Sequence, residues 1–161
     1  IYRRDQHGFY YTSDEELFGA IHPSDASLLD TLVQRLSALG PLAPGARVYS
    51  PLAIGGHVDH QIVRLAAERW RGKGLYYYED YPYAENSVSP LMYPDACQSY
   101  MLEESDVQAK IEAIACYQSQ MTVLFGAASV MAAHVWAFGR QVGGESGWAE
   151  RLWFHSGELA P

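Results

Sequence analysis

The segment Arg47-Val-Tyr-Ser-Pro-Leu-Ala-Ile54-Gly55-Gly56 constrains this chain more than any other. A short apolar run of this kind reads as a buried strand, and two adjacent glycines end it. Asp59 follows, then Ile62, Val63, Ala66 and Trp70 on one helical face, so a helix is expected with Asp59 as its cap. Upstream, Ser24 or Asp25 can cap a helix carrying Leu28, Leu29, Leu32, Val33, Leu36 and Leu39, which Gly40-Pro41 stops. Downstream, Gly72 and Gly74 end the second helix, and Leu75-Tyr-Tyr-Tyr78 reads as the next strand. Helix, strand, helix, strand is the order of an α/β fold with a mostly parallel sheet flanked by helices. Two strands, however, make a poor sheet by themselves.

The rest of the chain is less regular. Residues 1–22 are polar and aromatic without a period, and read as loop with short extended pieces. The stretch 84–104, with Asn86, Pro90, Pro94 and several serines, reads as a long loop. Ser105 or Asp106 begins a third helix through Val107, Ile111, Ile114 and Met121. A more apolar fourth helix runs from after Gly126 to about Phe138, and Glu150–Phe154 is a short closing strand or extended tail.

Charge and apolar runs narrow the function. The net charge of −8 comes from 19 acidic against 11 basic residues, with no basic stripe, so nucleic acid is not an expected partner. The longest apolar run, Leu124 to Phe138, is broken by Ser129 and His134 and falls short of the roughly 20 residues a membrane span needs. No basic segment followed by an apolar core and a cleavage site is visible, and the expected location is the cytoplasm, with Cys97 and Cys116 as reduced thiols.

Chemistry concentrates in Gly55-Gly56-His57-Val58-Asp59-His60. Open α/β sheets bind ligands at the carboxyl ends of their strands, which is where this string falls. Neutral imidazole is a common zinc ligand, and a carboxylate beside it can orient the ring and raise its basicity. The residues by themselves also allow a plain polar turn in which Asp59 only caps a helix, the commoner fate of so short a pattern. Glu79, Asp80 and Tyr83 lie after the second strand, where they could meet sugar hydroxyls or form a solvated loop. His7, His134 and His155 stand alone and read as surface or core residues.

A wider string breaks the tie. Gly-Gly-His57-Val-Asp59-His60-Gln61, Leu75-Tyr-Tyr-Tyr-Glu-Asp-Tyr-Pro-Tyr83, Lys110-Ile-Glu-Ala-Ile-Ala-Cys-Tyr-Gln-Ser-Gln120 and Ala149-Glu-Arg-Leu-Trp153 together resemble the back half of PIG-L/LmbE-like deacetylases. The resemblance covers most of residues 24–155. It implies a Rossmann-like α/β domain, of which residues 1–161 form the C-terminal portion. The activity it implies is zinc-dependent removal of an N-acetyl or other N-acyl group from an N-acetylglucosamine-containing or related small substrate. By the same resemblance His60 is a ligand of Zn²⁺ or another divalent metal. His57 steadies the oxyanion or protonates the leaving amine, and Asp59 orients His57; Asp80 and Tyr83 are expected substrate contacts only by their place after the second strand.

The family's early His-Pro-Asp-Asp loop, which supplies two further metal ligands, does not occur, and His22-Pro23-Ser24-Asp25 is the only near match. Since a hydrolytic zinc site takes about three protein ligands, the expectation is a further stretch of roughly a hundred residues carrying that loop and additional strands. An open strand edge beside Val48 and Tyr77 should mark its place. The alternatives are a non-catalytic sugar- or metal-binding relative of the same fold and an unrelated α/β interaction domain. A homo-oligomer is compatible with all three.

Overall fold

The computed structural model describes residues 3–85 and 94–157. They form two compact units, one made of the chain up to Ala96 together with Trp153 onward, the other of Cys97–Leu152.

The first unit opens with a hairpin, β1 (Arg3–Asp5) and β2 (Gly8–Tyr10), in which Arg3 lies opposite Tyr10. A single helical turn follows, α1 (Asp14–Leu17), capped by Ser13, whose hydroxyl accepts from the Glu16 amide. A 3-10 turn over Pro23–Asp25 leads into α2 (Ala26–Ser37). Next come β3 (Val48–Pro51), α3 (Val58–Arg71) and β4 (Leu75–Tyr78). The apolar stripes expected on α2 and α3 meet: Leu29 packs on Ile62 and Ala66, with Leu28, Leu32, Val33, Leu36 and Leu65 around them. Burial of such a stripe is what stabilises a helix of this length in water.

β3 and β4 are parallel, paired from Val48 with Leu75 to Pro51 with Tyr78. Leu75 and Tyr77 are buried while Tyr78 is exposed, the alternation of a strand with one face on a core. The ladder extends one step beyond β3 through the Leu52 amide, which donates to Tyr78 O at 2.9 Å. β3 stands at one end of the strand order among the described residues, and Tyr49 on it is half exposed.

The second unit carries β5 (Ala96–Leu102), α4 (Glu104–Ala115), α5 (Gln118–Phe125), α6 (Ala128–Gly143) and β6 (Trp148–Phe154), with β5 and β6 neighbours in a sheet. Val107 and Ile111 of α4 and Met131, Val135 and Phe138 of α6 supply its buried side chains. Glu103 and Asp106 close a reciprocal capping box at the start of α4. The last two residues of β6 belong to the first unit, where Trp153 Nε1 donates to Glu79 at 2.9 Å and the Phe154 ring lies by Tyr76.

Four expectations are corrected. The strands run in mixed directions rather than mostly parallel, with parallel pairing at β3–β4. Part of the expected 84–104 loop is β5; its polar, largely exposed residues Gln98 and Ser99 hide the period of two that marks a strand. Residues 86–93 of that loop lie outside the described residues. The third helix stops at Ala115 instead of running to Met121, because the Cys116 and Tyr117 amides reach back only three residues, to Ala113 and Ile114. Finally, α3 is capped by His57 and not by Asp59. Among the described residues no single helix is long and apolar enough to cross a membrane.

Candidate functional site

The β3–α3 turn sets the geometry. Gly55 and Gly56 have φ of 83° and 75°, a region that costs a side-chain-bearing residue about 1–2 kcal/mol. Space is equally restrictive: a Cβ on Gly55 would lie 2.8 Å from Tyr83 Cβ, and one on Gly56 would lie 3.1 Å from Phe18 O. The amide of Gln61 locks this turn by donating to Gly19 O at 2.7 Å and to Gly56 O.

His57 and His60 leave this turn side by side, with ring centroids 5.1 Å apart. His57 Nδ1 accepts a hydrogen bond from the Asp59 backbone N–H at 3.2 Å. An accepting nitrogen carries no proton, so in neutral His57 the proton sits on Nε2, which becomes a donor. Burial first, and His60 second, hold the His57 pKa below the ordinary imidazole value, so the neutral form prevails at neutral pH.

His60 has the opposite arrangement. Its Nδ1 lies 2.7 Å from Asp80 Oδ1, and Asp80 is 3% exposed, with its second oxygen accepting from the Ile54 amide at 3.0 Å. His60 Nδ1 and Asp80 Oδ1 have no hydrogen bond of ideal angle. A lone pair on Nδ1 at 2.7 Å would face the lone pairs of the buried carboxylate, so this contact favours the tautomer protonated on Nδ1. The proton then sits on Nδ1 and the Nε2 lone pair stays available. One ring offers a hydrogen and its neighbour a lone pair.

Aromatic rings surround the pair. Phe18 packs edge-on to His57 and to Tyr83, with centroids 5.3 Å and 5.6 Å away, and Tyr83 lies 5.8 Å from His60. Phe18 is 38% exposed, and burial followed by the Asp80 charge raises the Tyr83 phenol pKa.

The expected residues thus gather, although two carboxylates sit otherwise than expected. Asp59 turns its side chain away from His57 to pair with Arg3, and serves His57 through its backbone N–H. Asp80 lies beneath His60 with both oxygens engaged, instead of facing a ligand. Tyr83 is at the site. Three participants carried no local signal: Arg3, Phe18 and Gln61. Only Gln61 lies within the motif string.

The near match His22-Pro23-Ser24-Asp25 is closed. His22 Nδ1 accepts from the Ser24 amide at 3.2 Å, and Asp25, 1% exposed, accepts from Arg3 Nη1 at 2.8 Å, Tyr10 OH at 2.9 Å and Tyr11 OH at 2.8 Å. Burial, with the Asp25 bond adding to it, pushes the Tyr11 phenol pKa up to about 12.

A metal finds one good donor here, His60 Nε2. Among the described residues, however, no three His, Cys, Asp or Glu side chains come together as a possible metal shell. The residues present therefore do not fit a complete zinc site, which needs about three protein ligands.

Solved structures provide the comparison. The chain matches a deacetylase of the antimicrobial A40926 pseudoaglycone with TM-score 0.63 and 26% identity, over 84% of this chain and 58% of that one. It matches a teicoplanin-pathway deacetylase solved with bog with TM-score 0.73 and 22% identity, over 94% of this chain and 60% of that one. A teicoplanin deacetylase in a zinc-inhibited form matches with TM-score 0.72 and 21% identity, over 94% and 62%. The chain spans 58% to 62% of the length of these proteins. No protein-family model and no curated protein matches it.

Proposed function

From a chain that carries the fold of the LmbE-like deacetylases, we propose a hydrolase that removes an N-acyl group from an N-acetylglucosamine-containing or related small substrate. The observation that supports this most is the pair of adjacent imidazoles at one turn, His57 with Nδ1 accepting a backbone N–H and His60 with Nδ1 2.7 Å from a buried carboxylate, an arrangement that favours Nε2–H on the first ring and an Nε2 lone pair on the second. Amide hydrolysis builds negative charge on the carbonyl oxygen and must deliver a proton to the departing amine. Neutral His57 suits the first task, with Nε2–H donating to the oxyanion; to protonate the amine it would first have to take up a proton. Its lowered pKa keeps it neutral, and a neutral ring can donate Nε2–H to an oxyanion.

In this proposal His60 is a ligand for Zn²⁺ or another divalent ion, which would supply Lewis acidity at the carbonyl. Asp80 holds His60 in the ligating tautomer, as a carboxylate behind a ligating histidine generally does.

Release of primary amine from methyl N-acetylglucosaminide tests the reading in the whole protein. His57→Ala should lower turnover on the order of 10²–10³-fold, the usual worth of a positioned acid or oxyanion donor. Wild-type turnover in that variant would remove His57 from the mechanism. The incomplete donor set favours one second reading, a sugar-binding relative without turnover. It predicts saturable binding of the same glycoside with no amine released at any metal concentration.

A further inference from the structure

We propose that Arg3 is a positioning residue for His57, acting through Asp59; the inference rests on the deacylase reading above. Arg3 sits 56 residues before Asp59 and reaches two carboxylates at once. Its Nη1 donates to Asp25 Oδ2 at 2.8 Å and its Nη2 to Asp59 Oδ1. The two carboxylates differ in a useful way. Asp25 is 1% exposed and held by both tyrosine hydroxyls, so it is a fixed anchor, whereas the Asp59 side chain is 33% exposed and has little else to hold it. A planar guanidinium bonded at both ends transmits the anchor's position to the looser partner.

The hairpin gives the anchor its rigidity. Arg3 and Tyr10 are cross-strand neighbours in β1–β2, and both end on Asp25. The next bond in the series is the Asp59 backbone N–H to His57 Nδ1, at 3.2 Å. The connection therefore runs from hairpin to Arg3, to Asp59, to the atom that sets the His57 tautomer and ring direction. Burial works against the Arg3 charge, but the Asp59 and Asp25 carboxylates outweigh it, and the guanidinium stays ionised.

The test compares Arg3→Met, Arg3→Lys, Asp59→Asn and the double variant Arg3→Met/Asp59→Asn with the wild-type protein. Two readouts are needed: amine release from methyl N-acetylglucosaminide, and amide hydrogen exchange at Asp59 against Ala66 and Ala67 inside α3. Arg3→Met and Asp59→Asn should each lower kcat about 10-fold with KM within about twofold, the cost of a misdirected group with binding retained. The double variant should be no worse than either single, since both cut one connection. Arg3→Lys, which can keep only one of the two bonds, should restore part of the loss. Exchange at Asp59 should quicken in Arg3→Met while Ala66 and Ala67 keep their rates. Additive losses, a loss confined to KM, or unchanged Asp59 exchange would each overturn the assignment. The exchange experiment needs no substrate, so it decides the role of Arg3 even if His57→Ala retains full turnover and the deacylase reading falls.

Discussion

The turns at His22–Asp25 and His57–His60 are built alike and end differently. Each begins with a histidine whose Nδ1 accepts from the amide two residues on, at 3.2 Å in both cases. Each contains a carboxylate bonded to Arg3. At the first turn that carboxylate is buried, and three donors converge on it. At the second, the neighbouring histidine rests on Asp80 and leaves a ring nitrogen unused, and the rings of Phe18 and Tyr83 stand beside it. A closed polar cluster stabilises, because every donor and acceptor is matched; an open one can act on a ligand, because some are not. What differs between the two turns is the company each keeps.

That contrast can be broken at several points. The largest effect is expected at the closed turn. Asp25→Ala removes the buried acceptor shared by the partly exposed Arg3 and the Tyr10 and Tyr11 hydroxyls, and should cost about 3 kcal/mol of stability by urea denaturation. A loss under about 1 kcal/mol would mean that the cluster is not the anchor described here. At the open turn the effect should fall on turnover instead. Asp80→Asn can present an N–H to His60 Nδ1 and so favour the other tautomer. It should reduce amine release about 10–100-fold, and the imidazole nitrogen-15 shifts of His60 should report the proton moving to Nε2. Unchanged shifts would end the argument for a tautomer set by Asp80.

The smallest effect concerns pH. The folded protein binds the His57 proton less readily than the unfolded chain, because burial and then His60 lower the folded pKa. More protons on the unfolded state mean stability that rises with pH. The His57 contribution is therefore present above the ordinary imidazole value of about 6.5 and lost as pH falls from there toward the lowered folded value. Denaturation curves should be steeper in pH for the wild type than for His57→Ala in that window. Parallel curves would show that the histidine feels no such burial.

How far the sequence foretells this molecule depends on the distance over which each signal acts. Leu29, Ile62 and Ala66 were legible because a helical stripe repeats within a few residues. Leu75–Tyr78 was legible for the same local reason. Ser24 or Asp25 was expected to cap α2 and Asp59 to cap α3, the strongest local role open to them. Neither side chain does so, because both carboxylates are drawn to Arg3 from elsewhere in the chain. A charge-assisted bond outcompetes a cap: His57 caps α3, Asp25 stands at the start of α2 without a side-chain cap bond, and His22 caps the 3-10 turn before it. The motif therefore named His57 and His60 correctly as neighbours, while the work of Asp59 and Asp80 depended on contacts that no short pattern encodes.

Gln61 looks, in a helix sequence, like any polar residue that water would accept. Its Nε2 meets two carbonyl oxygens, Gly19 O and Gly56 O, so both of its hydrogens are committed. Glutamate has the same shape and would bring only lone pairs to face lone pairs; lysine would reach but not lie flat between them. Chemical ageing of this one amide to a carboxylate would thus turn a clasp into a wedge, prising the Phe18–Gly19 backbone off the glycine turn and taking the Phe18 ring with it. A side chain with no chemistry of its own has little room to vary.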